Sequence, residues 1–419
     1  MGMTMSEKIL ARASRKKEVI AGEIVEAEID RGMTHCSGGP LFFRALSELN
    51  PEKIKAIDKL IVIIGHTMPP ISGRASNQDL VRKNVRKYHL ENNFYDSKFG
   101  VMHNVMMWKG HVRPGDLIVA TDSHTTTMGV LGAFATGIGP TELAYAVTFG
   151  KIWLRVPETI KIILKGKLQK HVFSKDIGLH LAGTYGTDIA QYKAIEFTGP
   201  LANDLSIDAR TTLCVMGVEL GAKAAMFAPD EKTINYVKSV TDRPFTPLLP
   251  DQDAKYIQVI EVDAKSLEPK IACPHDVGNV KSVSELEGKV IHQATIGTCT
   301  NGGYEDLEIA AKILKGKKVN RGVRLYITPT TAEVYARAAK TGLAEIFTEA
   351  EAVVVNAQCG SCSGHIAVLC PGEVCLAAQN RNFKGRMGSP DSEIFLASPA
   401  TVAASAIEGK ITNPKKYLG

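Results

Sequence analysis

The sequence predicts an α/β protein of several domains built on mostly parallel sheets. Three observations carry that expectation. Apolar runs rich in β-branched residues recur along the chain: KLIVIIG (59–65), GDLIVATDSH (115–124), VIHQATIGTCT (290–300), VRLYITPTT (323–331) and EAVVVNAQC (351–359). Their length and composition suit strands buried on both faces. Segments with helical apolar spacing fall between them, and such alternation is the pattern of βαβ units. The length, 419 residues, is too great for one small core. We divide the chain into three α/β domains at 1–156, 157–277 and 278–419.

The start, MGMTMSEKILARAS, has no long apolar core and no small-residue cleavage site, so it does not read as a secretory signal. Gly2 and Ser6 fit the loose myristoylation pattern, a match short enough to arise by chance. No apolar stretch reaches the roughly 18–20 residues of a membrane span. The best candidate, 147–156, is broken by Lys151 and Arg155. A cytoplasmic protein with no membrane partner is the expectation.

The run at 59–65 is followed by His66, and the run at 115–124 ends in Asp122, Ser123 and His124. PTELAYAVTFGKIWLRV (140–156) reads as one helix, opened by proline with a threonine cap. The middle is the least informative stretch. KLQKHVFSKDIGLHLAGTYG (167–186) mixes helix and turn signals, and LGAKAAMFAPDEKT (220–233) resembles a helix ending in a loop. TDRPFTPLLPDQDAKY (241–256) carries three prolines and reads as a surface connection. Further on, 290–300 ends at Cys299, EDLEIAAKILKG (305–316) and TAEVYARAAKTG (331–342) read as helices, and 351–359 leads to Cys359 and Cys362. Ligands of open α/β sheets bind beyond the carboxyl ends of strands. Four strand ends bearing Asp, His and Cys therefore predict one convergent site.

The charge is +6, from 50 basic and 44 acidic residues. The basic residues are dispersed in short runs such as Arg15–Lys16–Lys17, which reads as a solvated surface and not as a nucleic-acid footprint. Aromatics at 6% and 37 glycines favour an enzyme with many tight turns over a stacking platform. A mild positive excess also suits small polyanionic acids.

Eight cysteines stand at 36, 214, 273, 299, 359, 362, 370 and 375. In a long chain of this type they are reduced, metal-bound or buried. Cys359 and Cys362 alone leave three readings open: a zinc half-site, a redox pair or two buried small residues. Cys370 and Cys375 read as core residues at a helix start. Cys299 in IGTCTNGG is the third candidate, because Gly297, Gly302 and Gly303 allow a bulky inorganic group close to the backbone. Three cysteinates could hold three corners of a [4Fe–4S] cluster and leave one iron open as a Lewis acid.

Four longer segments bear on this choice. GTCTNGG with EDL, then CGSC, then NRNFKGRMGSPDSEIFLASPATVAASAIEGKIT, and upstream GDLIVATDSHTTTMGVLGAFATGIGPTELA, resemble the aconitase superfamily in order and over nearly the whole chain. Within it, the resemblance is to large subunits of the two-subunit isopropylmalate dehydratase, homoaconitase and dimethylmalate dehydratase group. It implies an aconitase-like fold around a central iron–sulfur site, with a [4Fe–4S] cluster on Cys299, Cys359 and Cys362. It implies catalytic roles for His66, His103, Asp122, His124 and Glu219. Ser123, Asn380, Arg381 and Arg386 would bind the substrate, a small hydroxy di- or tricarboxylic acid. Arginine suits that task because its planar fork pairs carboxylates bidentately. Without the family pattern, His66 and His103 would read as core histidines and Arg386 as a surface ion pair.

The resemblance further implies that the swivelling domain is a separate small subunit, giving a heterodimer or heterotetramer. The chain stops at Gly419, just after AIEGKITNP, where such large subunits end. The base that removes the carbon-bound proton would lie on that partner, so this chain is expected to be inactive alone. Four departures stand out: Gly65 where relatives carry aspartate, Leu41 near their glutamine, Val215 for their asparagine, and a CGSCSGH segment one residue shorter. They point to a shifted or more apolar substrate, or to altered hydrogen bonding around the cluster. Two other classes compete: a cluster-dependent RNA-binding regulator and a zinc-stabilised structural protein.

Overall fold

Parallel crossovers dominate the architecture, and three sheets with a small ribbon result. The computed structural model describes residues 2–419. Strand β1 (Ile24–Glu28) precedes β2 (Arg31–His35), β3 (Leu60–Ile63), β4 (Phe94–Tyr95), β5 (Leu117–Ala120) and β6 (Phe134–Gly137). The last five form an all-parallel sheet in the order β4-β3-β2-β5-β6. Strand β7 (Lys151–Arg155) returns to pair antiparallel with β1. Strands β8 (Thr159–Lys165), β9 (Ala194–Thr198), β10 (Ala224–Phe227) and β11 (Gln258–Asp263) make a second parallel sheet, ordered β10-β9-β8-β11.

The third sheet contains β12 (Lys270–Ala272), β13 (Val280–Ser282), β14 (Gln293–Gly297), β15 (Arg324–Thr328), β16 (Val353–Val354), β17 (Val374–Ala378) and β18 (Glu393–Ala397). Its order is β13-β12-β18-β17-β14-β15-β16, parallel from β18 to β16 and antiparallel around β12. Strand β12 precedes residue 277 yet belongs to this sheet.

Every residue of β3 and β5 is buried, as continuous apolar strands covered on both faces require. Helices Gly39–Leu49 and Pro140–Phe149 cover one face, with Phe42, Phe43, Leu143 and Val147 in a shared core. In the third sheet, helix Pro399–Glu408 starts at the Ser398 cap and buries eight residues against β14 and helix Tyr304–Leu314.

Several sequence expectations change here. The helix expected over 140–156 stops at Phe149: Gly150 takes φ 75°, and the alternating burial of β7 follows. Gly139 sits at its N-cap without a side-chain bond, so no threonine caps it. The stretch 220–233 is not a helix; it holds the buried strand β10, and a helix begins only at Glu231, capped by Asp230. The stretch around Cys370 and Cys375 is no helix start either. Cys375 is fully buried in β17, whereas Cys370 is exposed. The run 351–359 yields only a two-residue edge strand, with Val353 exposed. In each case pairing partners outweighed local pattern. Residues 241–256 form an irregular connection, as expected.

Candidate active site

Parallel strands deliver the reactive groups to one place. His66 follows β3, Asp122 follows β5, Cys299 follows β14, and Cys359 and Cys362 follow β16. Together with His103, Ser123, His124, Arg381 and Arg386 they line a single cavity of about 270 Å³. Ten of the twelve sequence-predicted residues thus meet on its walls, and Glu219 and Asn380 reach it through hydrogen bonds.

Local backbone geometry explains the delivery. Gly297 lies at φ 140°, and a Cβ there would come within 2.2 Å of the Thr328 carbonyl oxygen. That turn, continued by Thr298 at φ 65°, puts Cys299 in the short helical turn Thr298–Asn301. Between the other two cysteines, Gly360 adopts φ 63°. Asp122 caps the turn Ser123–Leu131, its Oδ1 accepting the His124 N–H at 2.8 Å.

Asp122 is the electrostatic centre. Nε2 of His35, Nε2 of His66, and Nδ1 of His103 each lie 3.8 Å from its carboxylate, and Nδ1 of His124 lies at 3.9 Å. Burial opposes ionisation, but the surrounding imidazoles, His103 foremost, hold its carboxyl well below the usual range. His103 sits in helix Met102–Trp108, and neither ring nitrogen has a hydrogen-bond partner. Burial pushes its pKa down to about 3, so its ring is neutral near neutral pH.

A second set surrounds Glu219. Its Oε1 lies 2.8 Å from His124 Nε2 and accepts from Arg381 Nε at 2.9 Å. Burial raises its pKa, and His124 and Arg381 outweigh that and keep it ionised. Arg381 Nη2 also reaches Ser123 Oγ at 3.3 Å, and Asn380 Nδ2 lies 3.0 Å from His124 Nε2.

The cysteines carry hydrogen-bond donors of their own. Asn380 Nδ2 is 3.3 Å from Cys299 Sγ, and Arg386 Nη2 is 3.7 Å from Cys362 Sγ. Burial and the neighbouring Cys362 push the Cys299 thiol up to about 12, so a bound cation is what would make this sulfur a thiolate at neutral pH. Orphaned atoms converge on the same space: both nitrogens of His103, Asn380 Oδ1 and Arg386 Nε. Three sulfurs, two of them with N–H donors, beside unpartnered polar atoms fit a cysteine-held iron–sulfur group.

Sequence reasoning missed His35, Cys36 and Lys175. His35 lines the cavity. Lys175 is fully buried and donates to the Gln379 carbonyl at 2.6 Å, steadying the loop that carries Asn380 and Arg381. Nothing in its local sequence separates it from a solvated helix lysine. The departures resolve unequally. Val215 packs beside Cys299 and Val101, whereas Leu41 is exposed in a shallow depression with Pro140 and Thr141, away from the cavity. His365, after the shortened segment, ties Thr67 and Ser363 at 2.8 and 2.9 Å.

A larger groove of about 1410 Å³ shares Thr121, Asp122 and Ser123 with the cavity and runs past Tyr145, Trp153 and Tyr192. Trp153 and Tyr192 in that groove are 67% and 78% exposed. No described helix is long and apolar enough to cross a membrane.

Known proteins match this arrangement. A chain from Methanothermobacter thermautotrophicus named "Probable 3-isopropylmalate dehydratase large subunit" is 47% identical over 99% of both chains. A "3-isopropylmalate dehydratase large subunit 1" from Methanopyrus kandleri is 47% identical over the full length of each. A "Probable methanogen homoaconitase large subunit" from Methanothermobacter thermautotrophicus is 42% identical over 100% of this chain and 99% of its own. The aconitase family (aconitate hydratase) is matched across residues 65–409, which span the cavity-lining strand ends from His66 to Arg386, and the chain belongs to that family.

Proposed function

We propose that this chain is the cluster-bearing large subunit of a [4Fe–4S] hydro-lyase acting reversibly on a malate-type hydroxy diacid. Interconversion of 2- and 3-isopropylmalate is the first reading; homoaconitate and 2,3-dimethylmalate are the alternatives. One observation carries it: three cysteines, an aspartate ringed by histidines and two arginines share one small cavity. The names of the relatives support the diacid class.

Cys299, Cys359 and Cys362 would hold the cluster, which when bound supplies a Lewis acid at an iron without a protein ligand. The chain's own residues do the rest. Arg386 and the Nη groups of Arg381 pair the substrate carboxylates. Arg381 is held in place because its Nε is committed to Glu219. His103, buried without a hydrogen-bond partner and with Nδ1 3.8 Å from Asp122, is placed to pass a proton to the leaving hydroxyl once it has been protonated, Asp122 stabilising the ring in that state. Glu219 keeps His124 oriented from the opposite side. Walls of buried side chains exclude bulk water and strengthen each of these interactions.

A small-subunit partner covers the open groove and supplies the base for the carbon-bound proton. Purified chain, reconstituted anaerobically, is expected to contain iron and sulfide yet show no turnover until that subunit is added. The assembled enzyme is expected to favour isopropylmalate over the two alternatives by roughly tenfold or more in kcat/KM, the scale on which alkyl pockets discriminate. Zinc without iron in the reconstituted chain, or full turnover by the chain alone, would sink this reading.

A further inference from the structure

We propose that His35, Cys36 and His66 form a second metal site beside the three-cysteine cavity, suited to a borderline-soft divalent cation such as zinc. The residues come from the ends of adjacent parallel strands: His35 closes β2 opposite Ile63 of β3, and His66 follows β3. One ligand atom from each lies within 4.8 Å of the other two. Cys36 Sγ is 3.6 Å from His66 Nδ1. A tetrahedral zinc with ordinary Zn–S and Zn–N bonds spaces a sulfur and a nitrogen ligand by about 3.6 Å.

The outer contacts of both rings match those of ligating histidines, whose second nitrogen usually faces a carbonyl or carboxylate. His35 Nε2 donates to the Thr121 carbonyl at 2.9 Å, which leaves its Nδ1 lone pair available. That lone pair accepts only a 3.2 Å contact from the Ser37 N–H. His66 Nε2 faces Asp122 Oδ2 at 3.8 Å while its Nδ1 faces the thiol. His35 and Cys36 are both buried, so the set is shaped by the fold and not by surface chance. Burial raises the Cys36 thiol, but the two neighbouring imidazoles, His35 and His66, outweigh it and hold the thiol well below its ordinary range.

One thiolate and two imidazoles select zinc-like cations over magnesium or calcium, and three protein ligands leave a fourth position open. Position 65 adds no competing group. A Cβ at Gly65 would fall 1.9 Å from the Gly100 carbonyl oxygen, so Cys36 is the side chain that meets His66 Nδ1. Metal on Nδ1 would fix the His66 proton on Nε2, toward Asp122.

The inference does not depend on the hydro-lyase reading, and its test measures no turnover. The full chain carrying Cys299→Ala, Cys359→Ala and Cys362→Ala keeps added metal off the cluster ligands. Titrated with Co²⁺, it is expected to bind one equivalent with a thiolate-to-cobalt charge-transfer band, displaced by Zn²⁺. Adding Cys36→Ser should abolish the band and weaken binding at least about tenfold, and His35→Ala should weaken it similarly. If circular dichroism shows the triple variant unfolded, zinc is measured instead in the cluster-reconstituted wild-type chain. One zinc beyond the iron is then expected, lost in Cys36→Ser. No stoichiometric metal, or metal binding unchanged by Cys36→Ser, overturns the site and leaves a metal-free thiol–imidazole pair.

Discussion

Arg381 Nε donates to Glu219 Oε1 at 2.9 Å, joining two segments 162 residues apart in sequence. Both partners are largely buried, so the pair works with little solvent screening. Arg381→Lys keeps the charge and loses the planar fork. We expect kcat/KM of the assembled enzyme to fall roughly 10- to 150-fold, the scale of a charge-assisted hydrogen bond of about 1.5–3 kcal/mol. A change smaller than about threefold would show that the pair does not position substrate.

The cysteines should divide into two classes. Cys299→Ser, Cys359→Ser or Cys362→Ser is expected to abolish the visible iron–sulfur absorption after reconstitution and to remove activity. Cys375→Ala, a change in the core of β17, should keep full iron and sulfide content while costing on the order of 1 kcal/mol of stability. Equal iron loss in all four variants would argue against the assigned ligand set.

Replacing Asp122 with asparagine removes the charge that faces four histidines. Loss of a group that supports proton transfer costs roughly 10²–10⁴-fold in rate. We expect kcat of Asp122→Asn to fall in that range with cluster content unchanged, since Asp122 holds no sulfur. Wild-type kcat in the variant would refute the central role of this carboxylate.

Gly65 marks a steric limit. A side chain there would strike the Gly100 carbonyl, on the loop entering the helix that carries His103. Gly65→Ala should destabilise by about 1–3 kcal/mol through overpacking and lower activity by moving His66 and His103 apart. Gly65→Asp, the residue the family resemblance leads one to expect there, should do no better. An unchanged melting temperature for either variant would show that the loop yields freely.

Glu196 gives a pH signature remote from the site. It accepts from the Met5 N–H at 2.7 Å and from Tyr256 Oη at 2.9 Å, pinning the helix Met5–Ala13 to β9. Burial raises its pKa from 4.5 to about 7. Below pH 4.5 both folded and unfolded chains hold the proton, and Glu196 contributes nothing to pH dependence. From there to about pH 7 the unfolded chain loses it first, so stability falls as pH rises. Glu196→Gln removes that loss. Its stability relative to wild type should improve on the order of 3 kcal/mol between about pH 4 and about pH 8, read from urea unfolding. A pH-independent difference would contradict the burial argument.

The strand ends show how much was legible beforehand. Runs such as 59–65 and 115–124 announce themselves because a strand buried on both faces must be apolar throughout, and the next polar residue then marks its mouth. His66, Asp122 and Cys299 were found that way. Strand β7 was not, because its alternating residues continue a helical pattern and only pairing with β1 separates them. Strand β10 was hidden by alanines that suit either state.

By itself the sequence determined the composition of the site: which thiols, which histidines and which arginines stand next to strand ends or in family motifs. Distances belong to the tertiary structure alone. That Asp122 faces four imidazoles, that Lys175 holds the Gln379 carbonyl, and that Cys36 meets His66 follow from how parallel strands stack their carboxyl ends. Local periodicity encodes which face of an element is buried, and only packing decides which distant side chain it is buried against.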